Sequence, residues 1–269
     1  MEQEKQLQRL FFGLELACPW PTRFPEGRAV EEAMRHMTLA FLGSAAPSRV
    51  LDAITLFPQP PFALGPVGIF DSCLPLPPRQ PRLIAWHVDF LQRSDLLASF
   101  HRLLVVWLER HGLISAHADR FCPHVTLCRR PKQLADWEQA FTPLPLFIRA
   151  ITLFSSLGAS QYQPLWSYPL IAPFEELDHT ADIAFCVRAT TLQELYQHAQ
   201  FGLAFSFPPL LHYLDREGQP DTLEAIVSAL NARIAIADQE VGCPYKAVSY
   251  HGDVYERNGL LEWEMIVDV

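Results

Sequence analysis

The stretch "RHMTLAFLG", residues 35–43, decides how the first part of this chain is read. Its centre is His36-Met37-Thr38-Leu39. The same pattern returns as His124-Val125-Thr126-Leu127 inside "FCPHVTLCRR", 88 residues later (124 − 36). Each copy reads as a strand, the first ended by Gly43. In a strand, residues i and i+2 face the same side. His-x-Thr therefore presents an imidazole and a hydroxyl together, while the x and Leu positions face a core. Two such strands side by side would surround one small cavity with two imidazoles and two hydroxyls, in a nearly symmetric arrangement. An imidazole titrates near neutral pH, so one copy can act as base and the other as acid. The hydroxyls can hold the non-bridging oxygens of a phosphate. This is the minimum equipment for in-line attack at a phosphodiester without a metal.

Working outward, "QRLFFGLEL" (8–16) reads as a buried first strand and "SRVLDAITLF" (48–57) as a helix. The Pro-rich "FPQPPFALGP" forces a loop, and the Pro-rich region 58–81 departs from any recognised pattern. "RLIAWHVDF" (82–90) alternates, with Ile84, Trp86, Val88 and Phe90 on one face of a strand. "SDLLASFHRLLVVWLERHG" (94–112) opens on Ser94 as a cap. It places Leu96, Leu97, Phe100, Leu103, Leu104, Trp107 and Leu108 at helical spacing and ends at Gly112. A short helix near Leu134–Phe141 precedes two more strands, "LFIRAITLFSS" and "PLWSYPLIAP". Each His-x-Thr thus lies on a strand near a helix, once in each half of the region, as two similar α+β lobes would require.

Charge divides the chain. Residues 1–172 hold 16 Lys+Arg and 14 Asp+Glu, a net of +2, while residues 173–269 hold 5 and 16, a net of −11. The first part uses 14 Arg and only 2 Lys; Arg suits a fixed grip on phosphate oxygens, and Arg-rich genomic composition explains the count equally well. A seam near Ile171–Phe174, where Pro173 interrupts, gives two domains: 1–172 and 173–269. In the second, "TLQELYQHAQFGLAF" (191–205) opens with a capping box from Thr191 to Glu194. "DTLEAIVSALNARIAIADQEVG" (221–242) begins at Asp221 and Glu224 and ends on Gly242. "LLEWEMIVDV" alternates Leu261, Trp263, Met265 and Val267 against Glu262, Glu264 and Asp268. The longest apolar runs, such as "LLVVWL" (103–108), are too short to span a bilayer, so no membrane association is expected. The N-terminal "MEQEKQLQRLFF" has no basic segment leading into an apolar one, so no secretory signal is expected. Six cysteines without CxxC spacing argue against a zinc site and a disulfide framework. Reduced thiols in a cytoplasm follow as the expected setting.

With "QRLFFGLEL", "RHMTLAFLG", "DRFCPHVTLCRR" and the later "FSSLGASQYQPL", residues 8–170 resemble the two-histidine phosphoesterase superfamily. Within it they are similar to the bacterial RNA 2′,3′-cyclic phosphodiesterases first named 2′-5′ RNA ligases. The resemblance implies two pseudo-symmetric α+β lobes with the His-x-Thr strands lining a central cleft. It implies His36 and His124 as the catalytic pair and Thr38 and Thr126 as phosphate ligands, with no cofactor. The substrate it implies is RNA with a 2′,3′-cyclic phosphate end, opened by water to a 2′-phosphate with O3′ leaving. His124 is then the base and His36 the acid that protonates O3′. Arg129 matches a substrate-contacting arginine, and Phe12 an aromatic that stacks on the terminal base; ordinary core packing is the other reading of Phe12. Two alternatives stay open at this point. One is 2′-5′ ligation at the same site. The other is an RNA-end-binding ligase adaptor without catalysis.

"FEELDHTADIAF" (174–185), "PYKAVSYHG" (244–252) and the terminal "WEMIVDV" together resemble archease, an activator of the RNA-splicing ligase. The resemblance implies a Ca²⁺ site formed by Asp182, Asp268 and Val269, a ligase-activating Lys246 and an RNA-splicing ligase as partner. His179 and His251 match the motifs and read as structural. Only about 40 residues join the first helix to the Lys-Ala motif, fewer than in a typical archease. The expected architecture is therefore α+β: a two-lobed pseudo-symmetric two-histidine phosphoesterase domain followed by a shortened archease-like α+β domain.

Overall fold

A computed structural model of the chain describes residues 7–91, 94–113, 121–178, 182–250 and 253–269. The motifs' His179 and His251 lie outside the described residues. Packing divides the chain into two units, residues 1–142 with 148–171, and residues 143–147 with 172–269. The sequence seam at Pro173 does not anticipate residues 143–147. They group with the second unit, where Phe147 packs against Phe174 and Phe205 with ring centres 5.2 and 5.5 Å apart.

The first unit contains β1 (Gln8–Ala17), β2 (Arg28–Ala29), β3 (His36–Ala45), α1 (Pro47–Ile54), β4 (Val67–Leu76) and β5 (Leu83–Asp89). It continues with α2 (Ser94–Arg110), β6 (His124–Arg129), α3 (Leu134–Gln139), most of β7 (Leu144–Gly158) and β8 (Gln161–Pro169). The strands join in the order β1-β3-β6-β5-β4-β7-β8, β2 adds to β6, and β7 also pairs with β1, so the path returns on itself. Alternation sets which side of each strand faces the apolar core, although Phe11 and Ala85 on the other side of β1 and β5 are buried as well. Leu10, Phe12 and Leu14 of β1 and Ile84, Trp86 and Val88 of β5 are all at most 2% exposed. Leu97, Phe100, Leu104, Trp107 and Leu108 of α2 are buried as the helical spacing predicts, but Leu103, read into the same stripe, is half exposed.

The strand β4 was not legible in the sequence. Prolines 75, 77 and 78 crowd its end, Gly68 its start, and the ladder to β5 shifts register between Phe70 and Ser72, so no clean period survives. Just before it, Gly65 allows a close backbone approach: a Cβ there would lie 1.9 Å from the Ile148 carbonyl oxygen.

The second unit is built from β9 (Phe174–Leu177), β10 (Ile183–Ala189), α4 (Leu192–Ser206), a 3₁₀ turn (Pro208–Tyr213) and α5 (Leu223–Val241). It closes with β11 (Ala247–Val248), β12 (Val254–Arg257) and β13 (Leu260–Asp268). The sheet order is β11-β13-β10-β9, with β12 on β13. Trp263, Met265 and Val267 are fully buried, as their alternation predicts. At α4 the Thr191 hydroxyl caps the helix by accepting from Glu194 N at 3.1 Å. The Glu194 carboxylate reaches back one residue further than a capping box would, to Thr190 N and Oγ1 at 2.7 and 2.5 Å. The cap of α5 is Thr222 rather than Asp221: its hydroxyl accepts from Ala225 N at 3.1 Å.

Candidate active site

Strands β3 and β6 run antiparallel with Met37 opposite Val125. That register sets His36 opposite Thr126 and Thr38 opposite His124. The x and Leu positions of both copies are buried and the His and Thr positions half-buried, the same pattern twice. The four polar side chains therefore share one face, with each histidine diagonal to the other. Diagonal positions on paired strands are roughly 7–8 Å apart, a span into which one phosphate group fits.

Both imidazoles are oriented in the same way. Nδ1 of His36 lies 2.9 Å from the Met34 carbonyl oxygen, and Nδ1 of His124 lies 2.8 Å from the Cys122 carbonyl oxygen. A carbonyl oxygen only accepts, so Nδ1 carries the hydrogen in each ring. Nε2 is left on the opposite edge of each ring as the atom that can take or give a proton.

The surroundings of the two rings differ sharply. Three aromatic rings crowd His36: Phe11 at 4.8 Å between centres, Phe154 at 5.4 Å, and Tyr162 edge-on at 4.7 Å. Gly13 completes this wall, and a Cβ there would come within 3.3 Å of His36 Cδ2 and 3.2 Å of Phe154 Cε2. Glycine at 13 thus makes room for the imidazole by having no side chain. Burial pushes the His36 pKa down to about 4, with smaller contributions downward from the charges of Arg129 and His124, against the Met34 hydrogen bond. Beside His124, in contrast, the facing residue of β5 is His87, whose Nδ1 is 2.8 Å from Asp71 Oδ1. The near-symmetry expected from the repeated motif holds for strands and hydrogen bonds but not for the pocket walls.

Arg129 ends β6 on the same side. Its Nε donates to Ser160 Oγ at 2.9 Å, in the β7–β8 turn where Gly158, Ala159 and Ser160 have φ of +88°, +54° and +66°. Arg28, opposite Arg129 in the β2–β6 ladder, donates to the Ala159 carbonyl at 2.6 Å. The turn thus holds two guanidinium groups at one end of the cleft.

Phe12 must be reassigned. It is 0% exposed and packs on Phe57, Trp107 and Trp166, so in this fold it cannot stack on a base. Its neighbour Phe11, itself only 3% exposed, is the aromatic of β1 on the side of the two motifs, against His36. The sequence carried a signal for this: Phe11, Gly13 and Glu15 alternate on one side of β1, Leu10, Phe12 and Leu14 on the other.

In the second unit, Ile183 of β10 lies opposite Val267 of β13. Asp182 directly precedes Ile183, and Asp268 directly follows Val267, at that end of the ladder. Lys246 N donates to the Asp268 carbonyl at 2.8 Å, and Lys246 Nζ to the Val269 main-chain oxygen at 2.5 Å. The four residues singled out in the sequence therefore meet at one end of the second sheet. Their oxygens are of the kind a hard cation takes, and Lys246 Nζ donates to one of them. Among the described residues no group of three or more His, Cys, Asp or Glu is placed to hold a metal.

No protein-family model and no curated protein matches the chain. Among solved structures, it is similar to E. coli LigT complexed with 3′-AMP, at 23% identity over 61% of this chain and 99% of that one, with a TM-score of 0.46. It is also similar to a structure described as a phosphoesterase, at 24% identity over 61% and 99%, TM-score 0.45. A third is a protein of Thermus thermophilus, at 21% identity over 61% and 98%, TM-score 0.43. Among the described residues no helix is long and apolar enough to cross a membrane.

Proposed function

We propose that the first unit hydrolyses the 2′,3′-cyclic phosphate at an RNA 3′ end to a 2′-phosphate. The observation that carries this reading is the diagonal placement of His36 and His124 across Met37↔Val125. In-line displacement needs a proton acceptor on one side of phosphorus and a proton donor on the other. Two imidazoles on a diagonal, each with Nδ1 tied to a carbonyl, meet that need. One Nε2 takes a proton from water as its oxygen bonds to phosphorus. The P–O3′ bond breaks, and the other Nε2–H protonates O3′. Thr38 and Thr126, on the other diagonal, donate to the non-bridging oxygens, and the Arg129 guanidinium adds charge where it accumulates.

His36 enters this cycle neutral at pH 7, because its pKa is pushed down to about 4. For it to be the acid, as the family resemblance implies, the anionic phosphodiester must first raise that pKa. The decisive experiment incubates the protein, in EDTA, with a short RNA ending in a 2′,3′-cyclic phosphate and identifies the product end. A 2′-phosphate that forms with wild type and is lost in both His36→Ala and His124→Ala supports the reading. Turnover that survives both substitutions overturns it.

For the second unit we propose the ligase-activating role, with Lys246 as its working residue beside Asp268 and Val269. Stimulation of an RNA-splicing ligase that is lost in Lys246→Ala supports it. Stimulation equal in wild type and variant removes it.

A further inference from the structure

The face that carries both motifs continues one strand beyond them. In the β5–β6 ladder His87 lies directly opposite His124, so the two side chains point to the same side. His87 is not part of either motif. Its Nδ1 is 2.8 Å from Asp71 Oδ1, and the two side chains are 31% and 41% exposed. Asp71 belongs to β4 and sits at the register shift between Phe70 and Ser72, which brings its carboxylate to the His87 ring. A carboxylate only accepts, so Nδ1 carries a hydrogen, and Nε2 on the opposite edge, away from the Asp71 charge, donates to an anion in the imidazolium form of the ring.

From this row of Thr38, His124, His87 and Asp71 across four neighbouring strands we infer that His87 is an anion-binding residue for a second phosphate of the substrate. The group it takes is the phosphodiester joined to the 5′ carbon of the terminal nucleotide. The inference rests on the reading of the cleft as an RNA phosphoesterase site.

The distances separate this role from binding the reacting phosphate. The four motif side chains centre that phosphate between β3 and β6. Strands lie ~4.8 Å apart, so β5 is about 7 Å from that centre line. A donor hydrogen-bonded to an oxygen of the reacting phosphate lies within roughly 4–5 Å of phosphorus. His87 is one strand too far. The next anionic group along a nucleic-acid strand is the neighbouring phosphodiester. The other side of the cleft is walled by Phe11, Phe154 and Tyr162 around His36, and its guanidinium groups, Arg28 and Arg129, are engaged by the β7–β8 turn.

The test separates this subsite from catalysis by reading binding. Adenosine 2′-phosphate and adenosine 2′,5′-bisphosphate differ only in the second phosphate. Their Kd values are measured by calorimetry on the full chain, for wild type and His87→Gln. The second phosphate is expected to tighten binding to wild type about tenfold, as one charge-assisted hydrogen bond would. In His87→Gln that gain is expected to shrink to less than about twofold. No gain in wild type, or an equal gain in both proteins, overturns the inference. Wild type that fails to open a cyclic phosphate while keeping the His87-dependent gain counts against the proposed hydrolysis and not against the subsite.

Discussion

The two His-x-Thr-Leu copies share a sequence, a burial pattern and a hydrogen bond from Nδ1 to the carbonyl two residues back, yet they sit in different surroundings. His36 is enclosed by aromatic rings and kept neutral. His124 shares its face with a second imidazole held by a carboxylate. A local motif fixes which atoms face the cleft. The strands packed around it fix what those atoms will do. One copy thereby gains an apolar wall and the other a polar neighbour.

The largest expected effect tests what the copies share. His36→Ala and His124→Ala should each lower kcat/KM for a cyclic-phosphate RNA by roughly 10²–10⁴-fold, and the double variant should fall little further, because acid and base act as a unit. A product of the two single effects in the double variant would break the pairing. Next, Thr38→Val and Thr126→Val should each cost on the order of 10- to 100-fold in kcat, since each removes a donor to a charged oxygen. A loss confined to KM would show ground-state binding only. Gly13→Ala addresses the His36 side alone: the added Cβ meets the imidazole at 3.3 Å. A loss of about tenfold in kcat is expected, at the scale of a displaced catalytic group, and undiminished activity would show that the ring has room to shift.

Smaller effects sharpen the electrostatic contrast. Because kcat/KM reports the free enzyme, it should show a limb near pH 4 that belongs to His36. Tyr162→Ala opens the wall to water and should move this limb up toward 6.5. A limb that stays in place would mean that Tyr162 does not exclude water from His36. The sign for stability follows from the same shift. The unfolded chain takes up this proton near pH 6.5 and the folded chain only near about 4. The contribution is therefore fully present above pH 6.5 and is lost as pH falls toward 4. A urea-midpoint series over that window should show a slope that flattens in His36→Gln.

The face that carries both motifs was legible in the sequence because a period of two is short. Four residues suffice to say that His36 and Thr38 point one way and Met37 and Leu39 the other. The same reasoning placed Ile84, Trp86 and Val88 in the core, and so put His87 on the opposite side of its strand. What it could not supply was the partner across the ladder. Asp71 comes to His87 through a register shift in a strand whose prolines hid it, and Phe154 and Tyr162 come to His36 from more than 100 residues away. Phe12 shows the reach of alternation within one strand. Alternation with Leu10 and Leu14 already set Phe12 on the apolar side of β1, and its packing against Phe57, Trp107 and Trp166 bears that out over the stacking role.

The 88 residues that separate the motifs (124 − 36) also order events during synthesis. At roughly 5–20 residues per second a ribosome needs about 4–18 s to pass from the first histidine to the second. Through that interval β3 can pair with β1 but holds half a reaction centre, one imidazole with no counterpart. The closing pair of β1 with β7 waits longer still. On the proposed mechanism, a nascent chain or a fragment cut between the motifs therefore lacks one imidazole of the pair and opens no cyclic phosphate. The full pair forms in a single step, when β6 slots in beside β3.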